Sequence, residues 1–115
     1  MHEMGLVDAV LRTVTDICER EHVTHVTKIT LEVGELSGVV PRFLHECYEA
    51  IIEDTPYEHT QLAIDMVPGT LRCNDCSIEF PADVNNLMCP ECFGRNLTPM
   101  DGREFMIREI ETDDE

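Results

Sequence analysis

Basic side chains are scarce in this sequence. It carries 8 Lys and Arg residues against 24 Asp and Glu residues, which gives a formal net charge of −16 at pH 7. Nucleic acids and anionic membranes are bound through clustered Lys and Arg side chains that displace counterions, and the sequence contains no such cluster. We therefore expect neither nucleic acid nor membrane as a partner. The acidic surface favours solubility, cation capture or docking to a basic protein.

Long apolar runs are also missing. The sequence has no stretch of about twenty apolar residues that would span a membrane, and residues 1–20 lack the basic start and apolar core of a signal peptide. We expect a cytoplasmic protein of one small domain, with or without an attached module. Since thiols stay reduced in the cytoplasm, the six cysteines are expected to bind metal or to cycle as redox thiols.

The sequence lacks the residue sets that usually mark an enzyme. No nucleophile, base and orienting group occur in a recognisable arrangement, and no Gly-rich phosphate-binding loop is present. An enzyme is therefore the least favoured class, and binding or delivery functions remain.

Apolar side chains recur at three- and four-residue steps in two segments, which predicts two amphipathic helices. The first helix is expected over residues 4–18, so that residues 1–3 lie free at its positive end. The second helix is expected to begin at Pro41, since proline suits the first turn, and to end near Thr55.

Alternating apolar residues predict three strands, over residues 26–33, 62–66 and 104–111. In the third strand Phe105 and Ile107 leave Ile110 out of phase, which indicates a bulge or a different register. The order of the elements predicts an α+β fold: a three-stranded, mainly antiparallel sheet with two helices and an inserted, small zinc-ribbon-like module.

Two CxxC pairs are separated by twelve residues: Cys73 with Cys76, and Cys89 with Cys92. Two thiolates at each tight turn share one ion, so the two turns together supply the tetrahedral sulfur set that Zn(II) accepts. Gly94 is expected to let backbone amides approach the sulfurs. Structural zinc contributes on the order of 10–16 kcal/mol, more than the few large apolar residues of this segment can supply. Iron in the same cage, as in a rubredoxin-type electron carrier, and disulfide cycling remain alternatives.

The sequence opens with a possible chelate. The α-amine of Met1 and the amide and imidazole nitrogens of His2 close adjacent rings around one ion, and the Glu3 amide or carboxylate completes the set. Nitrogen-rich, near-planar coordination suits Ni(II) or Cu(II). A histidine at position two is otherwise a solvated side chain of a chain end. The remaining histidines fit no ligand spacing with one another: His22, His25, His45 and His59.

With both motifs in place, the chain resembles the HypA/HybF family of hydrogenase maturation nickel metallochaperones. The matching segments cover nearly the whole chain and comprise Met1-His2-Glu3, the glycine turn at residues 34–38, both cysteine pairs and the closing segment at residues 107–111.

The resemblance implies Ni(II) bound by His2 with the backbone of Met1 and Glu3, and Zn(II) held by the four cysteines. It implies transfer of nickel to the [NiFe]-hydrogenase large-subunit precursor, together with a maturation GTPase of the HypB type, by a monomer or weak homodimer. Some family members place an acidic residue after the glycine turn, where this chain has Val39 and Val40. The alternative function is a zinc-ribbon protein-interaction module without nickel transfer.

The order of the predicted elements divides the chain, and the resemblance suggests what each part binds. Residues 1–70 are expected to form the nickel-binding domain, and residues 71–98 the zinc-binding module. Residues 99–115 are expected to provide the returning strand of the first domain and an acidic tail.

Overall fold

The computed structural model describes residues 2–113. Within that range two helices and six strands follow one another along the chain: α1 (His2–Glu21), β1 (Val26–Gly34), α2 (Pro41–Ile52), β2 (Gln61–Val67), β3 (Thr70–Cys73), β4 (Glu79–Pro81), β5 (Leu97–Asp101) and β6 (Phe105–Thr112). Neither helix is long and apolar enough to span a membrane.

The strands form two three-stranded sheets, in the orders β2-β1-β6 and β4-β3-β5. Strand β1 pairs parallel with β2, because α2 carries the chain back across the sheet between them, and antiparallel with β6. Both pairs of the second sheet are antiparallel. Three of the four strand pairs are thus antiparallel, and the predicted α+β fold with two helices and an inserted module is confirmed.

Both helices place their apolar faces on the first sheet. The alternating residues Ile29, Leu31 and Val33 of β1 are fully buried against Val14 of α1 and Leu44 of α2. This core follows directly from the two periodicities in the sequence, because each apolar stripe needs another apolar surface to cover it.

Strand β6 contains the bulge that its pattern indicated. Ile110 pairs with Ile29 and Ile107 pairs with Leu31, and the register shifts between these two pairs, leaving Arg108 as the extra residue. The extra residue lets Ile107 and Ile110 both pack against the core although they are three positions apart.

The start of α1 differs from the prediction. The helix begins at His2, and the Glu3 side chain is only 7% exposed. The expectation of a free N-terminal segment was therefore wrong for His2 and Glu3, whereas Met1 lies outside the described residues. The physical reason is that the Glu3 carboxylate accepts a hydrogen bond from the Val40 amide, 3.4 Å away.

Three glycines form the junction between the two sheets, which we call the glycine neck: Gly34, Gly69 and Gly102. A Cβ atom on Gly34 would lie 2.0 Å from the carbonyl oxygen of Gly102, and Gly102 itself has a left-handed φ of 91°. The Glu35 carboxylate accepts a hydrogen bond of 2.7 Å from the Gly69 amide, and the Leu36 amide donates to the Gly102 carbonyl at 2.7 Å. The predicted glycine turn thus holds both connections between the sheets.

The strands of the second sheet lie between Thr70 and Asp101. The division of the chain at residues 70 and 98 stays a prediction.

Candidate metal centres

The four cysteines of the CxxC pairs converge at one end of the second sheet. Their sulfur atoms all lie within 4.8 Å of one another. Two of the distances that join the pairs are 3.6 Å, from Cys73 Sγ to Cys92 Sγ, and 3.5 Å, from Cys76 Sγ to Cys89 Sγ. Tetrahedral zinc with bonds of about 2.3 Å separates its sulfurs by about 3.8 Å, whereas disulfide sulfurs lie about 2.0 Å apart. The spacing therefore fits a shared metal ion.

The two cysteine turns have the same backbone geometry. The Ser77 amide donates to the Cys73 carbonyl at 2.8 Å, and the Phe93 amide donates to the Cys89 carbonyl at 2.9 Å. In each turn the amide of the first cysteine donates, also at 2.9 Å, to the carbonyl two residues beyond the second cysteine. Ser77 and Phe93, which follow the second cysteines, both have a left-handed φ, of 66° and 61°. The repeated hydrogen bonds explain why two CxxC segments with different intervening residues aim their sulfurs at one point.

Backbone amides point at one of the sulfurs. The amides of Glu91 and Cys92 lie 3.4 and 3.5 Å from Cys89 Sγ. Gly94 leaves the space beside the neighbouring sulfur that was expected of it, because a Cβ there would meet Cys92 Sγ at 3.3 Å and Asp75 Oδ2 at 3.4 Å. The left-handed residue of this turn is nevertheless Phe93, and no feature of the sequence indicated that.

These amides decide which thiol ionises first. Burial raises the pKa of the Cys89 thiol. Hydrogen bonds from the amides of Cys92 and Glu91 and from the Cys76 thiol lower it by more than that, and the resulting pKa is about 7. The hydrogen bond to Cys89 raises the pKa of Cys76 to about 12, and burial adds to the increase. The opposite directions of the two shifts favour the thiolate form at Cys89, with Cys76 as its hydrogen-bond donor.

The four-sulfur set is closed. Cys73 and Cys89 are fully buried, and Cys76 and Cys92 lie at the surface. Four thiolates complete the tetrahedral coordination that Zn(II) prefers and leave no position for a substrate, so the geometry fits a structural ion. Within residues 2–113 no other group of three or more His, Cys, Asp or Glu side chains converges in this way.

The N-terminal motif lies at the start of α1. The His2 side chain is exposed, whereas the Glu3 carboxylate is turned inward toward Val40. In an α-helix the amides of the first residues have no intrahelical carbonyl acceptor, and here these include the amides of His2 and Glu3. Met1 lies outside the described residues. The structural role of the Glu3 carboxylate was missed from the sequence, because Glu3 was placed outside the predicted helix.

Comparison with known proteins identifies relatives along the entire chain. The family model for hydrogenase/urease nickel incorporation, metallochaperone, hypA matches residues 1–112. The hydrogenase maturation factor HypA of Dehalococcoides mccartyi (strain CBDB1) is 36% identical over 115 residues, which cover 100% of this chain and 97% of that protein. The HypA of Geobacter metallireducens is 37% identical over 114 residues, covering 98% and 100% of the two chains.

The fold also matches a solved structure. The solution structure of the Ni metallochaperone HypA from Helicobacter pylori superposes with a TM-score of 0.65, covers 96% of each chain and is 19% identical in sequence. This likeness supports the two-sheet architecture, while the family is established by the match along the sequence. The chain belongs to the HypA family of metallochaperones for nickel incorporation into hydrogenase and urease.

Proposed function

We propose that this chain binds Ni(II) at its N-terminus through the Met1 amine, the amide and imidazole nitrogens of His2, and the Glu3 amide. The observation that carries the proposal is the start of α1 at His2. The amides of His2 and Glu3 are not needed for helical hydrogen bonds, so they are free to bind metal without breaking the helix. The exposed His2 imidazole adds a further nitrogen beside them.

The burial of the Glu3 carboxylate favours the Glu3 amide as the nickel ligand. Its carboxylate is buried and accepts a hydrogen bond from Val40, so using it as a ligand would break that contact. The Glu3 amide remains available at the start of the helix. An all-nitrogen set favours Ni(II) and Cu(II) over Mg(II) and Ca(II), which prefer oxygen.

The recipient in this proposal is the [NiFe]-hydrogenase large-subunit precursor, served in the cytoplasm together with a maturation GTPase of the HypB type. The curated relatives are named hydrogenase maturation factors. A delivery protein must bind selectively and still release its cargo. A chelate at a chain end supports both, because a recipient can replace its ligands one at a time.

The four cysteines hold Zn(II) in this proposal, as the chemistry of four converging sulfurs favours. When bound, the ion ties the two cysteine turns together. The protein then acts as a monomer or weak homodimer with two separate metal sites, one structural and one for cargo.

The test uses zinc-loaded protein and two histidine variants. His2→Ala is expected to abolish tight Ni(II) binding and the transfer of radioactive nickel to the purified precursor, while zinc content stays unchanged. His59→Ala is the matched control, since His59 is also exposed and lies on the loop before β2. Unchanged nickel binding in His2→Ala would favour the alternative of a zinc-ribbon interaction module. Loss of both metals together would contradict two separate sites.

A further inference from the structure

Phe93 is exposed on the surface of the second cysteine turn in an unfavourable conformation. Its φ of 61° lies in the left-handed region, where the Cβ of a bulky residue crowds the following carbonyl oxygen. Its side chain is 70% exposed, so packing within this chain does not compensate. Ser77 holds the same position in the first turn, with φ 66°, which shows that the turn does not require an aromatic residue. Because the turn itself sets this φ and accepts a serine, the exposed aromatic side chain indicates a role outside the fold.

Phe93 forms one wall of a groove, which we call the Phe93 groove. Its volume is about 420 Å³, and its other apolar walls are Phe80, Pro81, Met88 and Pro90. A space of this size and lining accepts an apolar side chain of a bound molecule. Two proline rings, Pro81 and Pro90, are among its walls, and their restricted conformations reduce the free energy lost in ordering the groove around a ligand.

Two further apolar side chains are exposed in the segment between Cys76 and Cys89. Val84 and Leu87, in the loop that leads to the second cysteine turn, are 55% and 42% exposed. Their neighbours in the chain, Asp83, Asn86 and Met88, line the groove, so the loop that carries these apolar side chains also forms part of its wall.

The charge of the module limits what can bind. Between Thr70 and Asp101 the sequence has five carboxylates and two guanidinium groups. Asp83 lines the groove, and its Oδ1 accepts a hydrogen bond of 3.0 Å from the Asn85 amide, which fixes the carboxylate there. Glu91 follows Pro90 and is exposed. The apolar groove therefore has one carboxylate in its lining, Asp83, and a second, exposed one, Glu91, in the adjacent cysteine turn.

We propose that the Phe93 groove binds a segment of another protein in which an exposed aliphatic or aromatic side chain is flanked by Lys or Arg. The apolar side chain fills the groove, and the cations pair with Asp83 and Glu91. Nucleic acids and anionic membranes are repelled by the same carboxylates. A second copy of this chain carries the same net charge of −16, which makes it a poorer occupant of the groove than a basic segment. The proposal does not depend on nickel binding.

The test is fluorescence anisotropy on the zinc-loaded full chain. The probes are fluorescein-labelled peptides with one Leu, Phe or Met flanked on both sides by Lys and Arg, and matched peptides with Glu in place of the basic residues. Proton–nitrogen NMR spectra locate the bound peptide. Phe93→Ser introduces the residue of the first turn and is expected to weaken binding about tenfold or more. Asp83→Asn is expected to weaken it less and to reduce its salt dependence.

Phe43→Ser is the matched control, because Phe43 is 40% exposed on α2, outside the module. It is expected to bind the basic peptides like the wild type. Zinc content is measured for every variant, and Phe93→Asn replaces Phe93→Ser if the serine variant loses zinc, since asparagine tolerates a left-handed φ.

The proposal is overturned if no basic peptide shifts the signals of groove residues, if zinc-loaded Phe93→Ser or Phe93→Asn binds like the wild type, or if the Glu-flanked peptides bind equally well. Reversible dimerisation in sedimentation that disappears in Phe93→Ser would show instead that a second copy occupies the groove.

Discussion

Glu3 and Val40 are joined by a hydrogen bond of 3.4 Å, in which the Val40 amide donates to the Glu3 carboxylate. Glu3 lies in the first turn of α1, and Val40 is the residue before the first turn of α2. One buried carboxylate therefore faces the positive ends of two helices, and α2 has no side-chain cap of its own. The contact fixes the start of the chain against the segment that follows the glycine turn.

Removing this carboxylate should destabilise the protein. We expect Glu3→Ala to lower the free energy of unfolding by about 1–3 kcal/mol, because the Val40 amide loses its carboxylate acceptor in a part-buried contact. Glu3→Gln should cost less, since it keeps an acceptor oxygen and loses only the attraction to the helix ends. Urea unfolding of zinc-loaded protein measures both. Glu19→Ala, which removes an exposed carboxylate of the same helix, should change little; an equal effect there would refute a specific role for Glu3.

Two glycine substitutions should have opposite effects. Gly34→Ala places a Cβ 2.0 Å from a backbone oxygen of the glycine neck, and we expect a loss of about 1–3 kcal/mol or more. Gly5→Ala in α1 has nothing within 4 Å of the added Cβ and should gain about 0.5–1 kcal/mol from helix propensity. Thermal unfolding gives the sign directly. A Gly34→Ala protein as stable as the wild type would contradict the close packing of the neck.

Loss of zinc should destabilise the β4-β3-β5 sheet and leave the other sheet intact. Chelation, or Cys73→Ser, is expected to remove hydrogen-exchange protection from β3, β4 and β5, because their sheet contains few buried apolar side chains besides Leu71. The β2-β1-β6 sheet should keep its protection, since its core is formed with α1 and α2. Uniform loss of protection across both sheets would show that the ion stabilises the whole chain as one unit.

Stability should fall at alkaline pH because of Tyr48. Burial, with a smaller effect of Tyr57, raises the pKa of Tyr48 to about 12, whereas a tyrosine in an unfolded chain ionises near 10. Between about pH 10 and 12 the unfolded chain releases a proton that the folded chain keeps, so unfolding becomes easier by at most about 2–3 kcal/mol.

Tyr48→Phe tests this dependence. The variant loses the hydrogen bond of 2.7 Å to the Thr60 carbonyl and should be less stable at neutral pH, but its stability should fall less between about pH 10 and 12. Tyr57→Phe should keep most of the decline, because burial is the larger cause of the raised pKa of Tyr48. The comparison is made by urea unfolding of zinc-loaded protein at several pH values, and an identical decline in Tyr48→Phe would show that other groups cause it.

Most of the fold could be predicted because it depends on periodicity. The apolar stripes specify α1, α2 and three strands, and even the bulge in β6 was visible in the spacing of Ile107 and Ile110. Membership of the HypA family confirms the resemblance drawn from the motifs and the prediction of a metallochaperone rather than an enzyme.

The features that could not be predicted depend on contacts between distant segments. Nothing near Glu3 in the sequence shows that its carboxylate meets Val40, and nothing near Gly34 shows that the Gly102 backbone lies against it. The left-handed φ of Phe93 contradicts the local preference of phenylalanine. This φ is shared by Ser77 in the first cysteine turn, so the geometry of the cysteine turn determines it.

The most direct test of the central claim is calorimetric titration of Ni(II) into zinc-loaded protein whose Met1 amine has been acetylated. If nickel binds at the N-terminus as proposed, acetylation removes one ligand and disrupts the adjoining chelate ring, so tight nickel binding is lost while zinc content and fold remain intact. Undiminished, tight nickel uptake by the acetylated protein would contradict the proposed site.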